Sequence, residues 1–207
     1  APLENPELNV SLKALNSQKE MPQIFDARNY QSVLRVAELK KEFQIPYIVR
    51  GGGDEYKRID EIKETGLPLI LPLKFPEPFD VSDPFDAEYI TLEQMKHWEL
   101  APTNLVSVND AKIPFAITSS DDPKMFWKNL RTCVKYGLPK NKALESLTMM
   151  PAKFLKMENQ IGSLETGKWA NFIICDADIF VGNGRVLENW TAGERNIISN
   201  ALAVNPS

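Results

Sequence analysis

From Met21 to about residue 157 the chain alternates short apolar runs with stretches of helical periodicity, and this rhythm restricts the fold more than any other feature. Apolar runs of four or five residues have strand length rather than helix length. Amphipathic helices between them are the connections that parallel strands need. Pro22 to Phe25 forms the first run and ends at Asp26. Asn29 is placed to cap the next helix, with Val33, Val36, Ala37, Leu39 and Phe43 along its apolar stripe. Pro46 to Val49 then leads into Arg50-Gly51-Gly52-Gly53, after which Asp54 is expected to cap a charged helix that runs to about Glu64 and closes at Gly66. Leu69 to Leu73 gives a third strand and Phe115 to Thr118 a fourth. Helices through Leu92 to about Trp98 and Leu105 to Ala111 precede that fourth strand, and helices entered past Pro123 and at Pro139 follow it.

Lys74 to Ala87 contains prolines at 76, 78 and 84 and is predicted to be an irregular loop over a binding face. After Gly162 the pattern changes to β: Phe172 to Cys175 and Val186 to Trp190, separated by the turn signal Gly182-Asn183-Gly184. The expected organisation is a lead-in over 1–20, four βα units over 21–157 and a small β appendage over 158–207. Four such units amount to half of an eight-stranded barrel. Exposed sheet edges are therefore expected, with self-association or pairing with the missing barrel half as their consequence.

With 207 residues, 43% hydrophobic and 25% charged, the chain has the composition of a folded globular protein. A net charge of −4 gives no reason to expect nucleic acid. No apolar run approaches the roughly 20 residues of a membrane span. Cys133 and Cys175 show neither metal spacing nor a disulfide framework, and both are expected to be buried free thiols. Composition leaves the compartment open.

In a barrel of this kind chemistry collects at the C-terminal ends of the strands. Three predicted strand ends present polar groups there: Asp26 with Arg28, the Arg50-Gly51-Gly52-Gly53 turn, and Asp121 with Asp122. Asp26 and Asp121 are candidates to hold a divalent ion through oxygen, or are two loop carboxylates. Arg28 and Arg50 suit a bidentate grip on a substrate carboxylate, or a salt bridge in the mouth. The triple glycine either cradles an anion or forms a tight, sterically open turn. Asp121 or Asp122 also has the option of capping the helix that begins near Pro123. The single histidine, His97, falls in a predicted helix away from the strand ends and is read as a surface or interface residue.

Three segments resemble one known family: Pro114 to Pro123, the run Thr148-Met-Met-Pro-Ala-Lys-Phe-Leu155, and Ile161-Gly-Ser-Leu-Glu-Thr-Gly-Lys-Trp-Ala170. They are similar to the C-terminal half of the amidohydrolase superfamily, metal-dependent hydrolases on a (β/α)8 barrel, with the imidazolonepropionase-like and prolidase-like members most alike. The resemblance runs from near Met21 to near Ile198 and implies an α/β fold: a partial TIM-like barrel with a small β-sandwich-type appendage. It implies hydrolysis of carbon–nitrogen bonds, a zinc-like divalent ion, and a small-molecule substrate for an intact parent protein. Asp121 takes the position of the family aspartate that binds the metal and shuttles a proton, and Asp122 and the two arginines lie beside it as substrate-binding candidates. The departure is in the histidines: the family's fifth- and sixth-strand positions, where histidines are usual, read Phe25-Asp26-Ala27-Arg28 and Val49-Arg50-Gly51-Gly52 here, and the family's first-strand His-X-His pair is not in this sequence. Two functions stay open: an amidohydrolase-type enzyme that needs ligands from elsewhere, and a non-catalytic module used for binding or assembly.

Overall fold

A computed structural model describes residues 9–18, 21–83, 85, 88–119, 121 and 123–199. A short exposed helix, α1 (Val10–Ser17), precedes a four-stranded parallel sheet of β1 (Gln23–Asp26), β2 (Tyr47–Arg50), β3 (Leu69–Pro72) and β4 (Phe115–Thr118). The strands lie in chain order, so each helical connection returns to the neighbouring position, as in half of a barrel. Register aligns Asp26 with Arg50, Arg50 with Ile70, and Ile70 with Ala116. Because successive side chains alternate between faces, Val49, Leu69, Leu71 and Phe115 share the face that helices cover, and all four are buried. Ile24, Asp26, Ile48 and Arg50 share the opposite face.

Helices α2 (Tyr30–Phe43), α3 (Ile59–Glu64), α4 (Leu92–Leu100), α5 (Asn104–Asp110), α6 (Phe126–Lys135), α7 (Lys140–Leu147) and α8 (Met149–Phe154) connect and follow the strands. Asn29 caps α2 as its sequence position predicts, its side-chain oxygen accepting from Ser32 N at 2.9 Å. Val33, Val36, Ile62, Leu105, Val108, Leu130 and Cys133 supply the helical side of the core. Asp54 departs from expectation. Its carboxylate accepts from Tyr30 N at 2.8 Å, and the segment after it opens as a 3-10 turn, Glu55–Arg58, without a side-chain cap. Residues 73–80 have no regular structure, as the prolines require; the rest of that expected loop lies partly outside the described residues. Helix α4 is fixed instead by a capping box in which Thr91 and Gln94 satisfy each other's backbone N–H groups.

Among the described residues the β appendage is a separate antiparallel sheet of β5 (Phe172–Cys175), β6 (Val186–Thr191) and β7 (Glu194–Ile197). Strand β7 escapes a hydropathy reading because Glu194-Arg195-Asn196 is polar and exposed. The hairpin joining it to β6 turns through Ala192 and Gly193, both at positive φ. Exposure on this open sheet also leaves Cys175 only half-buried, whereas Cys133 is enclosed and its thiol is pushed up to about 12 by burial. Arg131 of α6 ties the appendage to the helices through the carbonyls of Ile179 (3.0 Å) and Gly184 (2.6 Å). Among the described residues no helix is long and apolar enough to cross a membrane.

Two of the family-like segments, residues 148–155 and 161–170, meet. A Cβ on Gly162 would lie 2.8 Å from the Ala152 side chain and 3.1 Å from the Thr148 carbonyl, so Gly162 and Ala152 are small because α8 and the following turn touch there. Lys168 then bonds Ser163 Oγ at 2.6 Å, closing the turn that enters the appendage. Leu130 is fully buried and Leu164 is 73% exposed. Leu130→Ala is therefore expected to lower urea-unfolding stability by about 2–5 kcal/mol and Leu164→Ala by less than about 0.5 kcal/mol.

Candidate functional site

Strand polarity brings the ends of β1, β2 and β4 to one side of the sheet, and with them Asp26, Arg50 and Asp121. Arg50 reaches both carboxylates: Nη1 donates to Asp26 Oδ1 at 2.8 Å and Nη2 donates to Asp121 Oδ1. The side chains of Arg50 and Asp121 are 27% and 31% exposed and that of Asp26 is 59% exposed, so the Asp121 arm of the bridge lies in the mouth and the Asp26 arm at its rim. The hydrogen bond to Asp26 is the main cause that raises the guanidinium's pKa above its ordinary value, opposed by its partial burial and assisted by the charge of Asp121. The helix beyond it, α6, begins at Phe126 with Met125 in the N-cap position, and the Met125 side chain makes no capping hydrogen bond. Asp122, expected at the same site, lies outside the described residues.

The glycine turn that follows Arg50 does hold an anion, and the anion is internal. Glu55 is completely buried, and its Oε1 accepts from Gly52 N at 2.9 Å and Gly53 N at 3.3 Å. Its Oε2 accepts from Asn104 Nδ2 at 2.7 Å, while Asn104 Oδ1 accepts from Tyr56 N at 2.8 Å. Gly51 N donates to Ile70 O, so the turn's amides are already satisfied. A Cβ on Gly51 would fall 2.0 Å from Glu55 Oε1, and one on Gly52 would fall 2.3 Å from the Arg28 carbonyl. Both glycines are thus needed for close approach. Glu55 and Asn104 give no sequence signal, since a carboxylate beside Asp54 in a charged segment looks like a solvated helix face.

Around this turn an open cleft of about 410 Å³ is lined by Arg28, Arg50, Gly51, Gly52, Lys74 and Asp121. Arg28 and Arg50 therefore share one cleft, as expected, and Lys74, which a reading of strand ends passes over, joins them. His97 sits apart, half-buried on α4, with Nδ1 2.9 Å from Tyr56 Oη and the two rings stacked. Burial, then the charge of Lys57, holds its pKa below the usual histidine value. Burial pushes the Tyr56 hydroxyl up to about 12.

Among the described residues the donor set of the mouth does not fit a divalent ion. Hard cations want several oxygen ligands and zinc-like ions want imidazole or thiolate, while the described residues of the mouth offer two carboxylates that both face a guanidinium. Among the described residues no group of three or more His, Cys, Asp or Glu could hold a metal ion.

The amidohydrolase family model matches residues 107–201, a stretch from within α5 through β7 that includes Asp121 and all three family-like segments. That stretch is a little under half of the chain, and over it the sequence is similar to the amidohydrolase superfamily. Among solved structures it is similar to an amidohydrolase from Thermotoga maritima MSB8, with a TM-score of 0.70 and 20% identity over 93% of this chain and 48% of that one. A second amidohydrolase is similar at a TM-score of 0.61 and 12% identity, over 89% of this chain and 46% of that one. A Xaa-Pro dipeptidase with methionine bound in its active site is similar at a TM-score of 0.52 and 15% identity, over 82% of this chain and 49% of that one. This chain spans about half the length of these structures, and at such identities they show the fold alone. No curated protein matches the sequence.

Glu55 yields a test with a defined sign. Burial is the largest cause shifting its pKa, and it raises the value above the ordinary 4.5 despite the N–H donors. A raised carboxylate pKa means that the folded state holds its proton to higher pH than the unfolded state, so stability falls as pH rises from about 4.5 through the folded value. Glu55→Gln is expected to flatten this fall in pH-dependent urea unfolding. The variant's baseline is also expected to drop by about 1–3 kcal/mol, because its amide N–H₂ meets the Asn104 amide donor.

Proposed function

We propose that this chain is a degenerate amidohydrolase-type half barrel. Its family works on carbon–nitrogen bonds, but here Arg50 stands between Asp26 and Asp121 where a catalytic cation would need their oxygens, and the chain alone does not hydrolyse substrate. The bridging guanidinium is the observation that carries this reading. A guanidinium keeps its positive charge and pairs with both carboxylates, yet it has no open coordination position and cannot lower the pKa of a bound water as a Lewis-acidic ion does. What persists is a polar mouth on a rigid scaffold, suited to binding.

A second reading has its own support. Asp121 lies inside the family-model match and at the C-terminal side of β4, as a family metal ligand and general base would. In that reading the protein is an active carbon–nitrogen hydrolase, its metal is zinc-like, and residues outside this sequence supply the remaining ligands.

Metal content separates the two. After exposure to zinc, manganese and iron and removal of loosely held ions, inductively coupled plasma mass spectrometry is expected to find far less than one equivalent, unchanged in Asp121→Ala. Near-stoichiometric metal that Asp121→Ala abolishes would establish the catalytic reading instead. The proposal also includes a partner for the sheet, either a second copy or further barrel strands. Strand β1 has no neighbour beyond it among the described residues, and Ile24 is 55% exposed on it. Light scattering after size-exclusion chromatography is expected to show self-association of the chain, reduced in Ile24→Lys; a monodisperse monomer counts against it.

A further inference from the structure

We propose that the mouth of the half barrel binds a small organic monocarboxylate, gripped by Arg28 and Lys74. This rests on the reading just given, in which Arg50 is committed to Asp26 and Asp121. The ends of β1, β2 and β3 deliver one cation each to the same cleft, Arg28, Arg50 and Lys74. Only Arg50 has ion-pair partners among the three when the described residues are considered. Arg28 and Lys74 therefore face a cleft of about 410 Å³ with their charge unspent.

Both cations stand on anchored backbone. Gly52 lets the Arg28 carbonyl approach so closely that no side chain fits between them. Lys74 follows Leu73, whose carbonyl accepts from Asn129 Nδ2 at 2.6 Å, and Asn129 is itself buried. A cation on fixed backbone loses less freedom when it grips a ligand than one on a mobile loop.

Charge and donor geometry select the ligand class. The glycine amides that could wrap a phosphate are taken by Glu55 and Ile70. Recognition thus falls to side chains, and the guanidinium fork matches the two oxygens of a carboxylate. Three cations against Asp26 and Asp121 leave a single positive charge among the described residues of the mouth. Asp121 lines the same cleft and repels a dianion. A monocarboxylate satisfies the excess without overshooting it.

The test is isothermal titration calorimetry of the chain, in low-salt buffer, with N-acetylglycinate as probe, against the uncharged N-acetylglycinamide and against inorganic phosphate. Saturable one-to-one binding of N-acetylglycinate is expected in the millimolar range, with phosphate weaker and the amide silent. Arg28→Met and Lys74→Met should each weaken it about tenfold, and Arg28→Lys should recover only part of the loss because charge returns without the fork. Lys128→Met, in a separate groove, should bind as wild type. Binding that is absent, equal for the amide, tighter for phosphate, or indifferent to both Arg28→Met and Lys74→Met overturns the proposal. Metal content is read independently, so a metal-free chain that ignores carboxylates sinks this inference alone, and a stoichiometric metal site sinks the reading beneath it.

Discussion

A carboxylate sealed from water must be answered by donors in fixed places, and the mouth of this protein is organised around one that is. Glu55 collects two backbone N–H groups and the Asn104 amide, and in doing so determines the path of the chain just after β2. Gly51 and Gly52 are glycines because that carboxylate on one side and the Arg28 backbone on the other leave no room for a Cβ. The direction in which Arg50 leaves its strand, and the approach of Arg28 to the same turn, both follow from this arrangement. An internal anion has taken the position that a Gly-rich turn elsewhere offers to a ligand.

The same substitution of protein for ligand is repeated one layer out. Where two acids face each other across a mouth, a cation must come between them or one must give up its charge. Here the cation is the Arg50 guanidinium. It does for Asp26 and Asp121 electrostatically what a metal would do, and withholds what a metal would do chemically. The family resemblance over residues 107–201 and the loss of reaction chemistry are compatible in the proposed reading for that reason: there the scaffold position of Asp121 is kept and a guanidinium stands in for the cation.

Much of the scaffold was legible in the residues. Periodicity located the four parallel strands, because strands covered by helices are continuous apolar runs, and Asn29 marked the start of α2 by the physics of orphan N–H groups. Hydropathy could not find β7, whose side chains all face solvent, nor the Thr91–Gln94 box, whose signal is two polar residues in a polar stretch. In the mouth, Asp26, Arg28, Arg50 and Asp121 could be nominated from their place after strands, but not their pairing, since Arg50 and Asp121 are 71 residues apart and meet only through sheet register. Glu55, Asn104 and Lys74 were silent in the sequence. Burial and backbone contact give them their roles, and neither leaves a mark on local composition.

One consequence concerns shape and not charge. The Arg50 bridge joins the tip of β1 to the segment beyond β4, so one side chain links the first strand of the sheet to the last at their C-terminal side. It acts as a drawstring on the rim. With the guanidinium engaged, the spacing of the outer strands at the mouth depends on its reach, and any strands that were to complete the barrel would meet an edge already tied from within.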